Sequence, residues 1–423
     1  RFLAAPQGRR ISSRGRSGVY QSLWRRLKMS DRTIEKESVV EKELSFGPVH
    51  PALIEPFRIR LFVNDEIVED CELTINMAHR GVERILEGLP VERALLITER
   101  VCGICSNVHA WNSVRVVESG LNIKVPDRAN YIRVLINEIQ RITSHLIFFG
   151  HAFEVLGHET FSMRSFLLRE VFMDLMAYIG GNRVMPSVPV IGGIRPRADL
   201  TESLKRVILE RVDDFEKKYL EYVERILADP LVMSRLTGVG LLSKDDAIKY
   251  HATGPTGRAS GWDYDVRRMM YEYKPFDFNV IVLKEGDNKA RVVQRALEVI
   301  ESLKIIRQVV KNLPNGPIVN RDWVPGKMDF TTMYFETFRG ELMHSYGLDS
   351  QGLIRNYKIR TPTPTNLAAM EKACIGDHVT DAVLTIASCD PCLTCCNRVE
   401  VIESGKTRVM SEIDIVRKYG WRR

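Results

Sequence analysis

Glu99-Arg100-Val101-Cys102-Gly103-Ile104-Cys105 and, near the other end of the chain, Asp390-Pro391-Cys392-Leu393-Thr394-Cys395 carry two Cys-x-x-Cys pairs about 290 residues apart in a sequence of 423 residues. A zinc ribbon brings its second pair within about 15–20 residues of the first, because a small metal knuckle has to supply its own fold. The longer spacing predicts one site closed by the folding of a large domain, with the metal in its core. Four thiolates are soft ligands that suit zinc, iron or nickel. On spacing alone, the pairs also fit structural metal clamps or free buried thiols.

The surrounding residues narrow the choice. His109 follows the first pair and Arg398 the second, Arg339 to His344 reads R-G-x-L-x-H, and Gly47-Pro48-Val49-His50-Pro51 precedes Glu55. With R-x-C-G-x-C-x-x-x-H and D-P-C-x-x-C, these motifs resemble the catalytic large subunit of [NiFe]-hydrogenases over about residues 46–416. The G-P-x-H-P opening and Arg398 are similar to the energy-converting, membrane-complex branch (group 4). That branch is related to the quinone-site subunit of respiratory complex I, in which the thiolate ligands are missing; this chain has all four.

The resemblance implies nickel held by Cys102, Cys105, Cys392 and Cys395, with Cys105 and Cys395 also bridging to an iron that carries CO and cyanide. It implies that Cys392 takes a proton and passes it to Glu55, a relay that works when burial raises the carboxyl toward neutrality. Arg339 aligns with the arginine that overhangs the metals, although Phe338 stands where Pro or Ala is common. Ser388 and Asp390 match positions against the cofactor, and His109 matches one that donates to a bridging sulfur. Read without the family, Glu55 is an exposed strand-edge carboxylate, Arg339 a surface or salt-bridging arginine, Ser388 a strand-end serine and His109 a core histidine. Arg141 and His145 sit one helical turn apart and read equally as core polar residues.

Composition sets the outer bounds. With 44% hydrophobic residues the chain can bury a substantial core, and no apolar run approaches the roughly 20 residues of a membrane span. Eight cysteines, five of them between positions 374 and 396, fit metal binding in a reducing compartment better than a disulfide framework. The net charge of +7 comes from residues 1–28, which hold seven Arg and one Lys and no acid, leaving the remainder at −1. The body therefore has no basic stripe for nucleic acid. The expectation is a basic extension over residues 1–45, read either as an organelle transit segment or as sequence upstream of a start at Met29, a catalytic domain over 46–398, and a tail over 399–423 that is retained rather than cut after Arg398.

Periodicity supplies the elements. Arg58 to Ile75 alternates about Asn64-Asp65 and predicts a β-hairpin. Asp127 is placed to cap a helix through Leu156, with apolar residues at helical spacing from Ile132 to Leu146. Further helical patterns over Phe161–Tyr178, Leu200–Leu227 and Lys289–Leu313 predict a central bundle. The segment of Pro186, Pro189, Gly192, Gly193 and Pro196 predicts a shaped loop. Val383 to Ala387 reads as a short strand delivering Ser388, and Val399 to Met410 as a hairpin about Ser404-Gly405. The fold class is thus α+β, with a central helix bundle, an N-terminal hairpin-containing part and short C-terminal strands, similar to a [NiFe]-hydrogenase large subunit.

The activity this implies is reversible dihydrogen formation and oxidation. The remaining cysteines have no ferredoxin spacing, so the iron-sulfur clusters belong to a partner small subunit. Membrane ion-translocating subunits and ferredoxin as electron donor complete the implied complex, at the cytoplasmic face of the membrane. The alternative is a complex I-like quinone or electron-transfer subunit without hydrogenase activity.

Overall fold

Alternation of apolar and polar residues from Arg58 onward builds the first sheet. In a computed structural model of the chain, which describes residues 42–46, 55–75, 77–392, 398–403 and 406–411, β1 (Lys42–Phe46), β2 (Arg58–Asn64) and β3 (Ile67–Thr74) pair antiparallel in that order. The turn is Asp65-Glu66, both at positive φ, one residue later than the expected centre. Strand β1 goes beyond the expected hairpin, and it spans the expected boundary at residue 45.

Helices α1 (Val82–Leu86) and α2 (Val91–Glu99) lead into α3 (Ser106–Gly120) and the 30-residue α4 (Asp127–Leu156). Along α4, Ile132, Leu135, Ile136, Ile139, Ile142 and Leu146 are fully buried, each side chain worth about 1.5–3 kcal/mol. Its N-cap is Pro126, and Asp127 is the first helical residue, where its charge still suits the dipole. The other side of α4 is also buried but polar, with Arg133, Asn137, Glu138, Arg141, Ser144 and His145. Such a helix belongs in the centre of a bundle, where these polar side chains find partners, although Asn137 Oδ1 and His145 Nδ1 have none among the described residues.

Helices α5 (Glu159–Gly180), α6 (Glu202–Ala228) and α10 (Asn288–Lys311) build the bundle around it. Between α5 and α6 the Pro/Gly segment forms the small hairpin β4 (Pro189–Val190) and β5 (Gly193–Ile194). Short helices α7 (Pro230–Leu236), α8 (Lys244–Lys249) and α9 (Gly254–Ala259) connect α6 to α10.

A second antiparallel sheet, which the sequence pattern does not announce, orders β6 (Met328–Thr337), β7 (Gly340–Leu348) and β8 (Ile354–Arg360). Thr337 pairs with Gly340, leaving Phe338-Arg339 as a two-residue loop. Gly340 (φ 130) and Gly254 (φ 68) let this loop press on the start of α9: a Cβ on Gly254 would lie 2.5 Å from the Arg339 carbonyl carbon. Only glycine permits that approach, so Arg339 is held in place by its backbone.

Helices α11 (Pro362–Cys374) and α12 (Val379–Ser388) close the domain. The expected strand at Val383–Ala387 is the second half of α12. His378 Nδ1 caps this helix by accepting the Thr380 N–H, and Val379, Ala382, Val383 and Ile386 recur at helical spacing. That face packs with Met370, Cys374 and Cys389 against Phe57, Ile59, Leu61, Cys71 and Leu73 of the first sheet. Backbone bonds between Val68 and both Gly376 and Asp377 secure the junction. The N-terminal sheet is thus fastened to the segment that delivers Cys392. A final hairpin, β9 (Arg398–Glu403) and β10 (Lys406–Ser411), matches the expected one, with Ser404-Gly405 outside the described residues. No helix among the described residues is long and apolar enough to cross a membrane.

Candidate active site

Helix α2 ends at Glu99, and the turn after it carries Cys102 before Cys105 takes the N-cap position of α3. There the helix dipole favours negative charge. Cys102 Sγ accepts the backbone N–H groups of Ile104 and Cys105, both at 3.3 Å. Cys392 arrives from the far end of the chain, its N–H held by Thr363 Oγ1 at 2.8 Å, and its sulfur lies 3.5 Å from that of Cys102. All three thiols are buried in one core. A disulfide would need about 2.0 Å, whereas two thiolates on one metal with bonds near 2.3 Å stand roughly 3.3–3.8 Å apart. Cys395 lies outside the described residues. Among those described, no group of three or more His, Cys, Asp or Glu is arranged to hold an ion.

Arg339 is buried beside this site. Its Nε donates to the Asp390 carbonyl at 3.0 Å, Nη2 to Asp390 Oδ1 at 2.8 Å and Nη1 to Ser144 Oγ at 3.1 Å. Burial opposes its charge, but Asp390, followed by the thiols of Cys392, Cys102 and Cys105, outweighs burial and holds the guanidinium protonated. Asp390 adopts positive φ (58), and its Oδ2 is buried without a partner among the described residues. Sulfur donors at metal-bridging separation, a fixed cation beside them and an unused carboxylate oxygen fit a metal–thiolate centre.

Ser388 ends α12. Its Oγ lies 2.6 Å from the Thr385 carbonyl and 2.8 Å from Asn288 Oδ1, and it accepts from Arg291 Nη1 at 3.1 Å. Arg295 donates to the carbonyls of Ser388 (3.0 Å) and Cys389 (3.2 Å) and lies 4.1 Å over the Phe148 ring. Burial pushes Arg295 down to about 10. Sequence reasoning misses Asn288, Arg291 and Arg295. Their signal is an i, i+3, i+7 polar spacing on α10 that a surface helix also shows.

His109 Nδ1 meets His344 Nε2 at 3.0 Å, and His344 Nδ1 meets Tyr357 Oη at 2.7 Å. Tyr357 reaches Ser113 Oγ at 3.0 Å, and Tyr346 donates to the Ser113 carbonyl at 2.7 Å. Burial, then His109, holds His344 well below the usual imidazole range, so it is neutral. The sequence points to His109 and to the motif ending in His344 without linking them.

Arg141 and His145 prove to be core polar residues. Arg141 pairs with Glu138 and donates to the carbonyls of Glu336 and Thr337; His145 Nε2 lies 3.0 Å from Glu298. Burial lowers His145 to about 4. Around them Arg258 pairs with Glu298 and Glu336, and Arg267 with Asp265. Burial and then Asp265 raise Glu336 to about 7, against the pull of Arg258. Glu55 is half-buried at the edge of the described region, two residues before Phe57, whose side chain shares a core with Cys389. His50 lies outside that region. His158 and His378 cap helices, while Cys71 and Cys374 pack in the N-terminal core, in keeping with their lack of a motif.

Comparison with known proteins places these features in a family. The signature described as the 49 kDa subunit of respiratory-chain NADH dehydrogenase matches residues 156–326 and 324–398, and that of the nickel-dependent hydrogenases matches residues 80–155. The chain is 33% identical to the membrane-bound hydrogenase alpha subunit of Pyrococcus furiosus over 397 residues, covering 89% of this chain and 92% of that protein. It is also 33% identical to a subunit of the NADH-quinone oxidoreductase of Clostridium beijerinckii over 371 residues, covering 86% and 98%. Among solved structures, a chain of the archaeal membrane-bound sulfane sulfur reductase superposes with a TM-score of 0.78 at 27% identity, covering 85% of this chain and 98% of that one.

Proposed function

This chain belongs to the oxidoreductase family that unites nickel-dependent hydrogenases with the 49 kDa subunit of respiratory-chain NADH dehydrogenase, and from that premise we propose that it is the catalytic subunit of a membrane-associated [NiFe]-hydrogenase. The observation that carries the reading is the 3.5 Å approach of Cys102 and Cys392 Sγ, each from a Cys-x-x-Cys pair, in a buried site beside Arg339. Cys102, Cys105, Cys392 and Cys395 would hold nickel together with an iron bearing CO and cyanide. When bound, that group supplies the reversible cleavage of dihydrogen.

The protein's own residues would do the rest. Cys392 Sγ would accept the proton and deliver it to the Glu55 carboxylate, which stands two residues before Phe57, a member of the core that includes Cys389. Arg339, oriented by Asp390, keeps a fixed positive charge over the reacting position without reorganising. His109, whose Nδ1 meets His344, would use its Nε2 as a donor to a cysteine sulfur. Ser388 and Asp390 line the cofactor. Electrons would pass between ferredoxin, as donor to the complex, and this chain through a partner iron-sulfur subunit, in a complex with ion-translocating membrane subunits at the cytoplasmic face.

A second reading is a quinone or electron-transfer subunit without dihydrogen chemistry. It is favoured by the longer match to the 49 kDa signature and by the likeness to the clostridial NADH-quinone oxidoreductase. Metal analysis of the purified complex separates the two. Nickel and iron at about one each per chain, with infrared bands of metal-bound CO and cyanide, support the hydrogenase; a folded complex without nickel supports the second reading.

A further inference from the structure

Among the described residues, six buried arginines are paired with carboxylates. Arg115 pairs with Glu272, Arg133 with Glu118, Arg141 with Glu138, Arg258 with Glu298, Arg267 with Asp265 and Arg339 with Asp390. Arg291 and Arg295 are the exceptions. Both are fully buried, one turn apart on α10, and neither makes an ion pair among the described residues. Their donors go to the Asn288 side chain, the Ser388 hydroxyl and the carbonyls of Gly240, Gly286, Arg291, Ser388 and Cys389. The Nε atoms of both are buried without a partner among the described residues.

Two unpaired guanidinium groups in a core are costly unless negative charge lies nearby. Ser388 and Cys389 are the last carbonyls of α12, and a helix C-terminus supplies only about half a negative charge. Asp390 and Glu298 also act on Arg295, and Asp377 faces Arg291, but Asp390 and Glu298 already pair with Arg339 and Arg258, so these two arginines have no carboxylate partner of their own beside the turn that carries Cys392. Thiolates such as those of Cys102, Cys105 and Cys392 outnumber the charge of a divalent ion and leave a metal–thiolate centre negative, which is the sign the two arginines lack.

We propose that Arg291 and Arg295 balance the charge of a metal–thiolate centre at the Cys102–Cys392 site, making the bound metal a stabilising partner of α10 and α12. The proposal rests on the reading that the cysteines hold a metal. It implies that these arginines burden the metal-free protein and stabilise the loaded one. A residue that only caps α12 would act equally in both states.

The test is Arg295→Met, which keeps much of the stem and removes the charge, with Arg295→Lys as the charge-retaining control. Melting temperatures are measured for the full complex prepared with and without metal, each checked by nickel, iron and zinc analysis. Arg295→Met is expected to lower the melting temperature of the loaded complex by on the order of 5 °C and to reduce its metal content, while leaving the metal-free complex unchanged or more stable. Arg295→Lys is expected to keep the wild-type difference between the two forms. Equal losses in both forms, or failure of Arg295→Met to fold in either, would overturn the proposal in favour of a cap. Zinc in place of nickel and iron in the wild-type complex would refute the hydrogenase reading while leaving the charge comparison readable. A wild-type complex that binds no metal would overturn both.

Discussion

Arg339 grips Asp390 twice, through the Oδ1 carboxylate oxygen at 2.8 Å and through the backbone carbonyl at 3.0 Å. The pair joins the β6–β7 loop to the turn before Cys392, so a hairpin in the second sheet and a terminal segment reach the site as one unit. The left-handed backbone at Asp390 turns its carbonyl and side chain toward the same guanidinium.

Asp390→Ala removes one partner of this buried pair and is expected to cost about 3–5 kcal/mol. Denaturant melts of the complex check the stability term. Dihydrogen uptake should fall with it, and a smaller stability loss is expected for Asp390→Asn, which keeps the side-chain volume. Unchanged stability in Asp390→Ala would show that the pair is not formed.

Tyr357→Phe leaves His344 Nδ1 without its 2.7 Å partner in a closed core. The expected cost is about 1–3 kcal/mol, measured by the same melts. The tautomer of His344 is then no longer fixed from outside, so the imidazole nitrogen shifts of both His344 and His109 should change in NMR spectra of labelled protein. No change in the His109 signals would break the proposed link between the two rings.

Glu336 titrates at about 7 instead of near 4.5, so the folded chain keeps a proton that the unfolded chain has lost between those values. Folding stability from this group therefore falls as pH rises from about 4.5 to 7 and is level above. Glu336→Gln should gain stability relative to wild type at pH 8 compared with pH 5. His145, lowered to about 4 from 6.5, acts in the opposite sense, with stability lost as pH drops through that window. An identical effect of Glu336→Gln at both pH values would show that the carboxyl does not titrate there.

Glu55→Gln keeps size and removes the proton-carrying role proposed for this carboxylate. Proton-dependent turnover is expected to fall at least about 100-fold with nickel and iron content unchanged. Loss of metal in this variant would recast Glu55 as structural.

Much of the site is legible because its chemistry is written in short motifs. The two cysteine pairs, Arg339, Asp390 and His109 stand out by residue type and spacing, and Cys102, Cys105, Cys392, Arg339 and Asp390 meet in one buried region while His109 contacts His344. The hairpin from Arg58 and the long helix from Asp127 are legible from period alone. Arg291 and Arg295 are not, because an arginine on a charged helix reads as solvated until the burial of that helix is known. Ser388 reads as the end of a strand because Val383–Ala387 is too short to declare its period; the cap at His378 extends it into a helix. The second sheet escapes notice because the burial of β6 does not alternate: its Phe335, Glu336 and Thr337 are all buried in succession.

The central claim is that dihydrogen is split at the Cys102–Cys392 site with a proton leaving through Cys392. Exchange between D2 and ordinary water, followed by mass spectrometry on the anaerobic complex without any electron carrier, tests it independently of physiological partners. The account predicts release of HD and H2 by the wild-type complex and none by Cys392→Ser. Absence of exchange in a wild-type complex that carries nickel and iron at one each per chain would contradict it.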